Sequence, residues 1–151
     1  MQLIKLILIS AIAFFLLLTA FTLFIPSTIR ISRAIDISSD RKTILPYVQQ
    51  LPKWKDWNLY LQDTSGRFLV RLVSISDSLV TSTWLSGHKE FNSGLAIYEM
   101  RQGTTTVQWY FDFELKWYPW EKIASIVYDR QMGGVMQESL VKLKERIESN
   151  P

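Results

Sequence analysis

Val107-Gln108-Trp109-Tyr110-Phe111-Asp112-Phe113-Glu114-Leu115 decides the fold. Successive side chains of a strand point to opposite faces. Val107, Trp109, Phe111, Phe113 and Leu115 therefore share one face, and Gln108, Tyr110, Asp112 and Glu114 share the other. One face meets a core and the other meets water, as in an antiparallel sheet covered on a single side. Gln102-Gly103 supplies the turn before this strand, and Trp117-Tyr118-Pro119-Trp120 ends the sheet after it.

Working back from there, Phe91 to Met100 reads as a strand with Gly94 inside it as a bulge or bend. Leu79 to Leu85 is β-branched and aromatic. Phe68, Val70 and Leu72 alternate with Arg67, Leu69, Arg71 and Val73. Asp77-Ser78 and Gly87-His88-Lys89 supply turns between these strands. Further back, Ile29, Ile31, Ile35 and Ile37 alternate with Arg30, Ser32, Ala34, Asp36 and Ser38, giving a first strand. Arg33 falls on its apolar face. Its guanidinium either rises to water or headgroups on its aliphatic stem or stands as a cation inside a pocket. Ser39 or Asp40 can cap a helix running to about Gln50, which Pro46 marks as short or distorted. Trp54 and Trp57, three apart, fall on one side of a helical turn.

Forward from the deciding strand, Pro119 suits a helix entry, and helical spacing runs to the end. Met136, Leu140, Leu143 and Ile147 form one stripe. Gly133-Gly134 divides this helix, as a break or as a close approach to the strands. A strand, short helices, about four antiparallel strands and a long closing helix make an α+β domain.

The front of the chain differs. Leu6 to Ile25 holds no charge and is long enough to cross a bilayer as a helix, which needs about 20 apolar residues. A cleavable signal peptide has a shorter apolar region and a small-residue cleavage site; Phe24-Ile25-Pro26-Ser27-Thr28 offers none. A core helix is rarely apolar all round for such a length. The expectation is an uncleaved transmembrane anchor over residues 1–27 and one soluble domain over 28–151. Arg30, Arg33, Arg41 and Lys42 outweigh Lys5, which favours a cytoplasmic domain on a single-pass protein of the bacterial inner membrane. A net charge of +3 without a long basic run gives nucleic-acid binding little support and suits a mild attraction to anionic headgroups. The absence of cysteine excludes a disulfide, a thiolate zinc site and a lipoprotein anchor.

Five segments in order carry a family resemblance. They are Ile31-Ser32-Arg33-Ala34-Ile35-Asp36-Ile37, Ile44-Leu45-Pro46-Tyr47-Val48, Leu51-Pro52-Lys53-Trp54-Lys55-Asp56-Trp57, Gly103-Thr104-Thr105-Thr106-Val107-Gln108-Trp109 and Glu138-Ser139-Leu140-Val141-Lys142-Leu143-Lys144. Together with the apolar front they resemble the START-like (SRPBCC) superfamily, in particular bacterial polyketide cyclase/dehydrase-like and lipid-transport-like proteins. The resemblance implies a helix-grip fold: a curved antiparallel sheet wrapped on the C-terminal helix, with a cavity between them for an apolar ligand. Relatives carry a further hairpin where this chain has only Asn58 to Gly66, which points to a sheet one hairpin short.

Catalytic chemistry finds little purchase. His88 is the single histidine, placed in a turn, whereas a catalytic triad needs it in a pocket between a serine and a carboxylate. No His/Asp/Glu spacing suggests a metal site, no glycine-rich phosphate loop is present, and no cofactor is expected. Asp112 and Glu114 sit on the solvent face of their strand. The candidate cavity lining is Arg33, Trp84, Tyr98, Trp109, Phe111, Phe113 and Trp120, since small-ligand pockets are apolar with a few polar groups; the same aromatics can equally fill the core. Trp54 and Trp57 either pack the short helices or lie on headgroups. The expected function is membrane-anchored binding of a lipid or other hydrophobic molecule. The alternatives are a polyketide cyclase or dehydratase activity, implied by the resemblance alone, and a protein partner taken up on an exposed sheet edge.

Overall fold

The computed structural model describes residues 2–62, 66–101 and 103–149. Helix α1 (Gln2–Thr22) leads into strand β1 (Thr28–Ile37). Helix α2 (Arg41–Gln49), a 3-10 turn (Leu51–Lys53) and the single-turn helices α3 (Trp54–Trp57) and α4 (Leu59–Gln62) follow. Strands β2 (Leu69–Ile75), β3 (Leu79–Ser86), β4 (Lys89–Arg101) and β5 (Thr104–Glu114) precede the long helix α5 (Pro119–Glu148).

Among the described residues the strands form one sheet in the order β1-β5-β4-β3-β2. All neighbours are antiparallel. The four consecutive strands make a meander, and β1 returns to lie beside β5, pairing Ile31 with Phe111 and Ile35 with Val107. The apolar face of β5 is the inner face of the sheet: Val107, Trp109 and Phe111 are fully buried. Against it pack Met136, Leu140, Leu143 and Ile147 of α5. This is the helix-grip arrangement. Among the described residues of the segment from Asn58 to Gly66, Leu59–Gln62 form α4 and none lies in a strand; β2 is an edge strand of the sheet.

Trp54 and Trp57 are buried core residues. Their indole N–H groups donate to the carbonyls of Val48 at 2.9 Å and Tyr47 at 3.1 Å, tying α3 to α2. Packing, not headgroup contact, is their role. Trp84 and Trp109 are likewise buried and donate to the hydroxyls of Ser82 at 3.0 Å and Ser93 at 2.8 Å. These serines give buried indoles the partners they require, since an unpaired buried donor costs about 1–3 kcal/mol.

Three local expectations are corrected or decided. Asp40 occupies the N-cap position of α2, but its side chain makes no capping bond; its carbonyl accepts the N–H groups of Thr43 and Ile44 instead. Pro46 lies within α2 without ending it. Helix α5 runs unbroken through Gly133-Gly134. Gly133 is a close approach: the Arg33 guanidinium lies where a Cβ would stand, whereas Gly134 faces open space.

Candidate functional site

A cleft of about 810 Å³ opens between the sheet and the first half of α5, within the size range of small-molecule sites. Tyr60, Phe68, Phe91 and Phe113 give it an aromatic lining from four different elements or their flanks. Tyr128, Gln131, Met132 and Val135 contribute one side of α5. The β3–β4 turn brings His88, Lys89 and Glu90 to the rim, and the end of β5 brings Glu114, Leu115 and Lys116. The turn forms because Gly87 takes the left-handed backbone, φ 59°, that side chains resist.

Tyr60 is the pivot of the interior. Its ring meets Phe68, Trp84, Trp109 and Phe111 edge-on, with centroids 5.2–6.1 Å apart. Its hydroxyl donates to the Met132 carbonyl at 3.2 Å, linking α4 to α5. Burial pushes its phenol up to about 12, so the group stays protonated even above the ordinary tyrosine range. At the rim, Lys89 Nζ stands 6.0 Å from the centroid of the Tyr128 ring, and Glu121 accepts the Lys116 backbone N–H at 2.8 Å. The result is an apolar interior with a charged mouth of both signs, suited to a greasy molecule with a polar end.

The residues singled out from the sequence scatter. Phe113 lines the cleft. Trp84, Trp109 and Phe111 are fully buried behind it as core. Tyr98 is exposed, and Trp120 stands on the outer side of α5; neither lines the cleft. Arg33 is half-buried between β1 and α5. Its Nη2 lies 3.0 and 3.1 Å from the two Asp129 carboxylate oxygens, and its Nη1 donates to the Ser32 carbonyl at 2.7 Å. It is a clasp between sheet and helix, where the sequence left open a solvated head or a pocket cation. Tyr60, Phe68, Phe91, Tyr128, Met132 and Val135 were missed. Tyr128, Met132 and Val135 carry the signal that could have found them, since residues four and seven apart share a helix face.

The cleft sits at the end of the domain where α1 joins it. Leu115, in the lining, donates its N–H to the Ser27 carbonyl at 2.7 Å. Lys122, next to the lining residue Glu121, donates from Nζ to the carbonyls of Thr22 at 3.0 Å and Ile25 at 2.8 Å. Helix α1 itself is long and apolar enough to cross a membrane, and none of its most apolar 18-residue window is buried.

No family model and no curated protein matches the chain. Solved structures do match. A START superfamily protein from Mycobacterium smegmatis superposes with a TM-score of 0.62 at 14% identity, over 81% of this chain and 99% of that one. A protein from Nitrosospira multiformis gives a TM-score of 0.64 at 14% identity, over 82% of this chain and 100% of that one. The di-domain ARO/CYC StfQ of the steffimycin biosynthetic pathway gives 0.60 at 9% identity, over 81% of this chain and 51% of that one. The chain has the START-like fold.

Proposed function

We propose that this chain is a membrane-tethered binding module whose START-like domain holds a hydrophobic small molecule, a lipid or an isoprenoid. The observation that carries this reading is the aromatic-floored cleft of about 810 Å³ at the end of the domain joined to the apolar helix. A tether keeps the cleft at high local concentration relative to membrane-dissolved ligands without any new contact. The charged residues along the cleft suit the polar end of an amphiphile. Arg30, Arg33, Arg41 and Lys42 beside the anchor favour a domain on the cytoplasmic face of a bacterial inner membrane. The ARO/CYC role printed for StfQ belongs to that protein; at 9% identity the likeness carries the fold.

The test is mass spectrometry of organic extracts from the full chain purified in detergent, beside the blocked variant Val135→Trp. Val135 lines the cleft and is only half-buried, so the larger ring fills space rather than disturbing the core. A molecule enriched in the wild type and depleted in the variant is the expected result. Equal extracts from both would end the proposal.

A further inference from the structure

Helix α5 reverses its amphipathicity along its length. In its second half Met136, Leu140, Leu143 and Ile147 turn inward, and Glu138, Lys142 and Glu145 face water. In its first three turns the order is inverted. Lys122, 5% exposed, and Ser125 turn inward. Trp120 at 61% and Ile126 at 70% exposure, with Ile123 and Val127, turn outward. A surface helix in water shows the opposite pattern.

The inward polar groups have their explanation inside the structure. Lys122 caps the end of α1 through the Thr22 and Ile25 carbonyls, where a cation also complements the negative helix terminus. Ser125 donates to the Lys122 carbonyl at 2.6 Å. The outward apolar side chains stay about half or more exposed among the described residues. This face begins close to the end of α1: exposed Leu23 and Phe24 follow α1 directly, and the Lys122 bonds hold the end of α1 beside the start of α5. Trp117, Tyr118 and Trp120 stand at that level, with Tyr118 stacked on Trp120 at 5.0 Å. Amphipathic rings collect at the headgroup layer of bilayers.

We infer that the first three turns of α5, with Trp117 ahead of them, lie in the interfacial layer of the bilayer that α1 enters, so that the domain docks on the lipid surface. The inference rests on the reading of α1 as a membrane anchor and deepens it. The occupant is lipid because this exposed apolar, aromatic-rich face starts where the apolar helix α1 ends.

The chain has no cysteine, so single-cysteine variants of the full chain take one label each. Ile126→Cys, Val127→Cys, Val141→Cys on the later, charged stretch of α5, and Leu16→Cys in α1 are labelled with an environment-sensitive nitrobenzoxadiazole dye. They are reconstituted in vesicles of phosphatidylcholine and phosphatidylglycerol, with and without lipids spin-labelled near the headgroup or deep in the chain. All four positions are exposed, so the dye does not enter the core. The expected result is several-fold stronger headgroup-depth quenching at 126 and 127 than at 141, with deep quenching at 16. Quenching at 16 with 126 and 127 no better quenched than 141 overturns the docking and leaves the anchor standing. No quenching at 16 overturns the anchor and the docking together. Blue-shifted emission at 126 without lipid quenching assigns the face to a protein contact, a second copy included, and also overturns the docking.

Discussion

Replacing each glycine of the α5 pair by alanine separates helix propensity from the seat of Arg33. Nothing lies within 4 Å of the Cβ that alanine would add at Gly134. Gly134→Ala therefore gains the ordinary propensity difference, about 0.5–1 kcal/mol. Gly133→Ala gains the same amount, but its methyl lands on the Arg33 guanidinium. The far end of that side chain is flexible, so it withdraws and the backbone stays. It then gives up Asp129, a pair worth at most about 1 kcal/mol because the side chains are 30% and 62% exposed. It also gives up the Ser32 carbonyl, worth about 1 kcal/mol more. Gly133→Ala should come out between neutral and about 1 kcal/mol destabilising, a gap of about 1–2 kcal/mol from Gly134→Ala. Thermal unfolding of the full chain in one detergent, followed by tryptophan fluorescence, should separate the two midpoints by about 4–8 °C. In an Arg33→Ala background the gap should close, because the obstacle and the bonds it would lose are both gone. Equal rises in midpoint for the two variants in the wild-type background would refute the seating of the guanidinium against Gly133.

Four further outcomes follow from the geometry. Burial raises the Tyr60 phenol to about 12 against an unfolded value of about 10. Its contribution to stability is whole below pH 10 and is lost as pH rises from 10 toward 12; urea midpoints of Tyr60→Phe should show a smaller loss over that window. A side chain at Gly94 would strike the Tyr110 ring, over which the Arg30 guanidinium sits at 4.0 Å; Gly94→Val should cost about 1–3 kcal/mol, read as a lower thermal midpoint. Lys122→Met removes the cation from the Thr22 and Ile25 carbonyls and should weaken that joint by about 1–3 kcal/mol, seen as faster chymotryptic cleavage beside Phe24 in detergent. Trp84→Ala deletes a fully buried ring and should lower stability by about 3–5 kcal/mol in denaturant titrations.

The fold was legible because its signals are local and strong. Alternation along Val107, Trp109 and Phe111 survives as the buried face of β5, with Phe113 half-buried and Leu115 just past the strand's end, since a strand with one covered face cannot slip by one residue without turning its apolar set to water. The turns at Asp77-Ser78 and Gly87-His88 lie between β2, β3 and β4 as their residue types demand. Gly133 was not legible. A glycine pair in a helix reads the same whether it breaks the helix or admits a neighbour. The neighbour here is Arg33, 100 positions away in the chain. Asp40 shows the complementary failure: the right residue stands at the cap position, yet the first-turn N–H of Thr43 finds its carbonyl and not its side chain.

The candidate site was less legible than the fold, and α5 explains why. One helix serves two environments, so a single apolar stripe cannot be drawn along it. The stripe through Met136, Leu140, Leu143 and Ile147 is plain because it faces one core. N-terminal to it the apolar side swings outward through Trp120, Ile123 and Val127, while polar Lys122 and Ser125 take the inner positions. Trp120 therefore looked like a cavity residue, when its face points away from the sheet. Tyr128, Met132 and Val135, at the crossover between the two stretches, were passed over although they line the cleft. The crossover itself has a physical logic. The stretch that grips the sheet must be apolar inward, and the stretch that holds the α1 terminus must be polar inward to satisfy its carbonyls. The cleft lies where the first pattern gives way to the second, lined there by Tyr128, Met132 and Val135. The cleft and the joint with α1 are thus neighbours on one helix, and a change that repositions the joint at Lys122 should be felt in the cleft through Glu121.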